Sequence, residues 1–317
     1  MDEFVCYEID FGVGLLCKEE VLGGSFDIRI HNILAKIEFP RIYPLLTHEN
    51  SAQKELIAPA SIPNGYQDLF KWGVVFGINS KNEKATCINT AILICPINEN
   101  QTYEHLKNKQ KDISHAVEVF LDYLRVISKQ PLVRRINESL NIVSFQNARM
   151  KDQIVIMTPP HMLSQNDLDN KEIETEVSYS DMERTITNFH RSKDWKIPLA
   201  YKLLNEARKL FYHQKYRSTV FECATASEVL STFKLDDHIK ICSSNSLKKK
   251  VENCNGLMSK YNLASTLGLF TKNYSLSGLA KLRNKAIHAG KTVERKEAAE
   301  ALKITDDFIY SEVTHLS

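Results

Sequence analysis

The pattern of apolar and polar positions changes character partway along the chain. In the first hundred residues, short runs rich in branched and aromatic side chains alternate with Gly, Pro and Asn. These runs are 4–9, 26–30, 34–39, 72–78 and 85–95, and each predicts a strand. Ile113, Ala116, Val117, Phe120, Leu121, Leu124 and Ile127 then recur at helical spacing, predicting one long helix over about 111–128. A short strand is expected near 153–157. The polar, acidic segment from Thr158 to Ser180, opened by Pro159 and Pro160, reads as a linker.

Beyond Trp195 the period is helical throughout. The expected helices cover about 197–213, with a stripe of Leu199, Leu203, Ala207, Leu210 and Phe211, and about 216–233, with Val220, Cys223, Ala224, Ser227 and Leu230. Two short helices are expected between 246 and 270, broken near Asn255-Gly256. Another starts near Ser277, and a last covers about 295–315, with Ala298, Ala301, Leu302, Thr305, Phe308 and Ile309. Stripes of this width with short connections imply an antiparallel bundle. The predicted fold class is α+β. A β-rich domain over 1–180, with one long helix, precedes an all-α bundle over 190–317.

Composition adds limits. A chain of 317 residues, 43% hydrophobic and 25% charged, suits two globular domains. The seven cysteines form no CxxC pair and no metal-ligand spacing, which points to reduced thiols and a cytoplasmic setting. The start, MDEFVCYEID, lacks the basic region of a signal peptide, and no apolar run reaches the length of a membrane span. Walker, GxGxxG and HExxH motifs are missing, so no cofactor and no metal is expected.

Charge changes the picture more. The net charge is +2, yet between Lys248 and Lys291 nine basic residues face one acid, Glu252, a local balance of +8. Such a concentration attracts polyanions, nucleic acid above all. A solvated lysine surface is the plainer explanation.

Within this stretch lies Leu282-Arg-Asn-Lys-Ala-Ile-His-Ala-Gly290. Arg283 offers a planar fork of donors for a phosphate, and His288 can carry a proton near neutral pH. Three other Arg-to-His spacings occur: Arg41 to His48, Arg184 to His190 and Arg208 to His213. The first runs through Pro44, the second lies near the expected junction of the two halves, and the third reads as a solvated helix face. Only the last has a polar residue after the Arg, an apolar helix before it and a glycine stop after it. Structural roles are available to each residue. Arg283 could pair with Glu222 or Glu228, His288 could favour its own helix end, and Asn284 could be a surface amide. A Cys–His hydrolase built on Cys223 or Cys242 is a further option, with no histidine evident beside either.

The C-terminal bundle resembles the HEPN superfamily, and within it the abortive-infection branch with Apea-like HEPN domains. The resemblance rests on Tyr216, Arg217 and Glu222 on the second helix and on Leu-Arg-Asn-x-x-x-His-x-Gly before the last. It covers about 195–317; the N-terminal half resembles no family. It implies a metal-independent endoribonuclease in which Arg283 and His288 carry the reaction and Asn284 supports it. It also implies homodimerisation through the bundle, an RNA substrate held with help from Lys281, Lys285 and Lys291, and a role in prokaryotic antiviral defence or as a toxin. Expected products are a 2′,3′-cyclic phosphate and a 5′-hydroxyl. The alternative it leaves open is an inactive module that binds RNA, a nucleotide or a protein. A purely structural dimerisation bundle is a third class. The N-terminal domain would sense a trigger ligand or protein, or restrain the enzyme.

Overall fold

The computed structural model describes residues 3–44, 54–70, 72–78, 84–130, 142–146, 149–154, 176–192, 197–288 and 292–313. The protein is α+β. It divides into two compact units, Met1–Lys196 and Ile197–Ser317.

Unit 1 is built on an antiparallel sheet of β1 (Glu3–Cys17), β2 (Ser25–Ile30), β3 (Ile33–Glu38), β6 (Gly73–Ile78), β7 (Lys84–Pro96), β8 (Ile142–Gln146) and β9 (Arg149–Ile154). Its order is β2-β3-β7-β1-β8-β9, with β6 also paired to β7. A separate ribbon joins β4 (Arg41–Pro44) to β5 (Lys54–Ile57). The centre of the sheet is buried on both faces, so residues 4–7 of β1 and 91–95 of β7 are continuous apolar runs. On one face Phe4, Cys6, Ile92, Ile94, Val143 and Phe145 pack beneath Leu56, Ala58, Ile62, Phe70 and Trp72. The opposite face carries Val5, Tyr7 and Ile9 by strand alternation. There the Tyr7 hydroxyl donates to the carbonyl of Leu106, in α1 (Tyr103–Asn108), at 3.2 Å. Gly14 (φ +97°) sits where β1 bulges against β7, and a Cβ there would lie 2.2 Å from Cys87 Sγ.

Helix α2 (Gln110–Ser128) follows the predicted stripe closely. It packs against α3 (Tyr179–Arg191), which overlaps the expected linker only at 179–180 and otherwise lies in a stretch to which the sequence reading gave no element. A capping box between Ser178 and Asp181 starts α3. Its exposed His190 accepts the Arg29 backbone N–H through Nε2 at 3.0 Å, covering part of the open edge of β2. Partial burial and the Arg29 charge lower the pKa of this histidine, which favours the neutral acceptor form. The pair Arg184 to His190 lies in unit 1, a few residues before its end at Lys196. Strand β8 was also missed, and the strand expected at 153–157 ends at Ile154 within the described residues.

Unit 2 is helical: α4 (Leu199–Tyr212), α5 (Tyr216–Cys242), α6 (Asn245–Glu252), α7 (Leu257–Thr266), α8 (Ser277–His288) and α9 (Arg295–Val313). Helix α5, 27 residues long, is the axis against which the others pack. Its buried stripe is rich in small residues (Cys223, Ala224, Ala226, Ser227, Ser231), which lets α4 and α9 approach closely. The hydroxyls of Ser227 and Ser231 are satisfied by carbonyls one turn back, each at 2.9 Å. The stripe of α4 differs from expectation. Leu199 is 57% exposed, whereas Ala200, Tyr201, Leu204, Ala207 and Arg208 are buried.

The last turn of α9 buries Glu312 completely. Its Oε1 accepts from Thr271 N (2.7 Å), Thr271 Oγ1 (2.7 Å) and Tyr274 OH (3.0 Å), and Lys234 Nζ lies 3.1 Å from Oε2. Beside it Tyr274, Phe270 and Tyr261 surround Phe308 at centroid distances of 4.8, 5.1 and 5.9 Å. This cluster fixes residues 270–274, from which α8 departs. Burial alone would raise the Glu312 carboxyl. The Thr271 hydrogen bonds and the Lys234 ammonium outweigh it and hold the pKa below the usual value. The folded-state pKa is therefore depressed. Its stability contribution is present above the unfolded carboxylate pKa and lost as pH falls through the folded one. Glu312→Gln should cost about 3 kcal/mol near neutral pH, since it leaves Lys234 unpaired. Hydrogen exchange of α9, compared between wild type and variant, should show that difference shrinking as the solution is acidified. An undiminished difference at acid pH would contradict the assignment.

Candidate functional site

The strongest sequence candidate lies on α8. Leu276, Leu279 and Ala286 are buried and orient this helix on the bundle. Arg283 falls on the same side, one turn after Leu279 and one before Ala286, and is half-buried. Its Nη1 donates to Asn284 Oδ1 at 3.3 Å. It makes no ion pair with a described residue. Neither acid proposed as a structural partner pairs with Arg283 among the described residues. Glu228 binds Lys260 Nζ at 2.9 Å, and burial together with nearby Glu206 raises the carboxyl pKa of Glu222. Asn284, Lys281 and Lys285 are exposed.

The backbone of His288 is the last residue of α8; Gly290 and Lys291 lie outside the described residues. Helical geometry separates the Arg283 and His288 positions by about 140° around the axis and about 7.5 Å along it. Asn284 and His288 are only about 40° apart, on one face. A single copy of α8 thus places Asn284 with His288, but not Arg283 with His288.

The Tyr216, Arg217 and Glu222 pattern lies on the first turns of α5. Tyr216 packs on Phe211 with centroids 5.6 Å apart, and the Arg217 guanidinium lies 5.4 Å from the Phe221 ring centroid. Among the described residues no hydrogen bond or ion pair joins this group to Arg283.

The remaining Arg-to-His spacings resolve into structural roles where they are described. Arg208 is buried, not on a solvated face. Its Nη2 donates to Asp306 Oδ1 at 2.6 Å and its Nη1 to Asn205 Oδ1 at 3.4 Å, tying α4 to α9. His213 caps the end of α4 and is exposed. Arg41 Nε donates to the Ala58 carbonyl at 2.9 Å, while His48 lies outside the described residues.

One arrangement escaped the sequence reading. His238 and Cys242 are one turn apart near the end of α5, and Cys242 Sγ lies 3.4 Å from His238 Nε2. The signal was the spacing itself, i and i+4 on one helix. All seven cysteines are free, and Cys242 is exposed whereas Cys223 is buried. Burial pushes the Cys223 thiol up to about 12, which rules it out as a nucleophile near neutral pH.

Among the described residues no group of His, Cys, Asp and Glu is arranged to hold a metal ion, and no helix is long and apolar enough to cross a membrane. No protein-family model, curated protein or solved structure matches this chain.

Two arginines of unit 2 therefore differ in kind. Arg208→Ala leaves Asp306 without its cation in the core and should destabilise by about 3–5 kcal/mol. Arg283→Ala removes a half-buried cation without a described carboxylate partner and should cost less than about 1 kcal/mol. Thermal unfolding of the two variants beside wild type tests the distinction. A large loss with Arg283→Ala would assign that residue to structure.

Proposed function

We propose that this protein is a metal-independent endoribonuclease of the HEPN type, acting as a homodimer in cytoplasmic defence or as a toxin. The observation that carries the reading is Arg283. It is half-buried on the packed side of α8, in a strongly basic segment, and pairs with no described carboxylate. A guanidinium kept free of carboxylates is available to a phosphate.

In RNA cleavage the 2′-oxygen attacks the adjacent phosphorus, loses its proton, and the 5′-oxygen leaves with another. Arg283 would hold the charge that grows on the phosphate oxygens, an effect often worth about 10²–10³ in rate. His288 would move a proton. Asn284, on the face of the His288 position, would orient the imidazole. Lys281 and Lys285, with Lys291, would hold the backbone of the RNA.

The angular separation of Arg283 and His288 gives the dimer its reason. A two-fold axis beside α8 would bring one copy's Arg283 toward the other's His288, and would supply two imidazoles for the two proton transfers. The same separation favours a second reading for an isolated chain: an inactive module that binds RNA, a nucleotide or a protein. Unit 1, with its two-faced apolar core, is assigned the role of sensing a trigger or restraining the nuclease.

Purified protein incubated with total RNA in EDTA should release fragments ending in 2′,3′-cyclic phosphate and 5′-hydroxyl. His288→Ala should lower the rate by about 10²-fold or more. Activity that vanishes in EDTA and returns with magnesium would contradict the metal-free mechanism. Mixing Arg283→Ala subunits with wild type should depress activity beyond simple dilution, and an active monomer at micromolar concentration would rule out the shared site.

A further inference from the structure

We propose that α6 is a second anchoring site for an RNA strand, gripping its phosphates without regard to sequence. The inference rests on the ribonuclease reading only for the first site, on α8. Packing sorts the cations of the basic stretch into two groups. Lys260 is neutralised by Glu228, and Lys272 lies over the Tyr274 ring. Lys248, Lys249 and Lys250 are exposed side by side on α6, and none forms an ion pair or hydrogen bond with a described residue. By contrast Lys36, Lys109, Lys209, Lys234 and Lys240 each meet a carboxylate.

The short helix is held firmly beneath these charges. Ser244 caps it through the Leu247 N–H at 3.3 Å, Leu247 is buried, and Val251 one turn on is half-buried. The remaining residues of α6 (Asn245, Ser246, the lysines and Glu252) are all exposed and polar. A protein partner would need an apolar centre to its interface, which α6 does not offer. A polyphosphate needs only cations.

The two patches belong to different levels of α5. Two residues, Ser243 and Ser244, separate α6 from the end of α5. Cys223 on α5 faces Thr305, and Lys234 faces Glu312, so α9 runs parallel to α5. Helix α8 leaves the Glu312 cluster and delivers the chain to the start of α9. It therefore runs back along α5, away from α6. From the helical rise, Lys234 to Cys242 spans about 12 Å and Ser277 to Arg283 about 9 Å in the opposite direction. Along α5, the end that leads into α6 and the level of Arg283 are thus on the order of 20 Å apart, a span that a strand of several nucleotides covers.

The test uses the full chain and 2′-O-methyl RNA, which cannot be cleaved through its 2′-oxygen. Anisotropy is measured for a trimer and a dodecamer over a range of salt. The combined substitution Lys248→Ala, Lys249→Ala and Lys250→Ala should weaken dodecamer binding about tenfold or more. It should reduce the salt slope by about 2, as expected for three lost single-strand phosphate contacts. Trimer binding and thermal stability should stay unchanged, and the corresponding triple Arg variant should bind like wild type. Dodecamer binding unaffected by the triple Ala variant, or equally weakened in the triple Arg variant, would overturn the proposal. If α6 governs dodecamer binding but ordinary RNA is never cut, the nuclease reading fails and the α6 site stands. If wild type cuts RNA and dodecamer affinity ignores the lysines, the reverse holds.

Discussion

The buried carboxylate of Glu312 is the contact on which the geometry of unit 2 depends. A carboxylate without access to water is costly unless its oxygens are fully engaged. Here three donors and an ammonium converge on it from the 271–274 segment and from α5. The donors come from one segment and the ammonium from another, so the last turn of α9, α5 at Lys234 and the approach to α8 are fixed together. The rings of Tyr261 and Phe270, stacked, and of Tyr274 and Phe308, packed edge to face, add apolar area around the same point. Where α8 begins, and hence which side of it carries Arg283, follows from this cluster.

A second buried ion pair, Arg208 to Asp306, works in the same way between α4 and α9. The Arg208–Asp306 pair lies beside Cys223, on the small-residue stripe of α5. Small residues let helices approach, but they supply little apolar area per residue. Polar pairs of exact geometry then select one register of packing among several of similar area. Arg283 differs from both because nothing described in the bundle neutralises it, and this separates a candidate for ligand binding from a structural cation.

Much of this architecture was legible in the sequence. The stripe from Ile113 to Leu124 and that from Val220 to Leu230 are buried as read, because helical periodicity directly reflects a one-sided environment. The break near Asn255-Gly256 falls between α6 and α7, where Gly256 adopts φ +80°. What failed has a physical cause. Helix α3 has few apolar residues and buries only Met182, Thr185 and Phe189, so its stripe was too thin to predict a helix. On α4 the pattern put Leu199 inside and Arg208 outside, because hydropathy cannot anticipate that a distant Asp306 would neutralise the arginine. The i, i+4 spacing of His238 and Cys242 was also passed over, because it means proximity only once α5 is known to continue to Cys242 instead of ending near Phe233.

For the candidate site the lesson is narrower. The residue types on α8 were plain from the sequence, and so was the basic stretch around them. Their mutual orientation was not, because proximity in sequence is not convergence in space. A spacing of four intervening residues reads as adjacency but turns the helix by about 140°, whereas a spacing of three keeps two side chains on one face. Arg283 and His288 have the first relation, Asn284 and His288 the second. On the proposed reading, a phosphate held by Arg283 of one copy would therefore meet its proton carrier most directly on another copy. Dimerisation would then be part of the chemistry, and a free monomer would keep only the binding half of it.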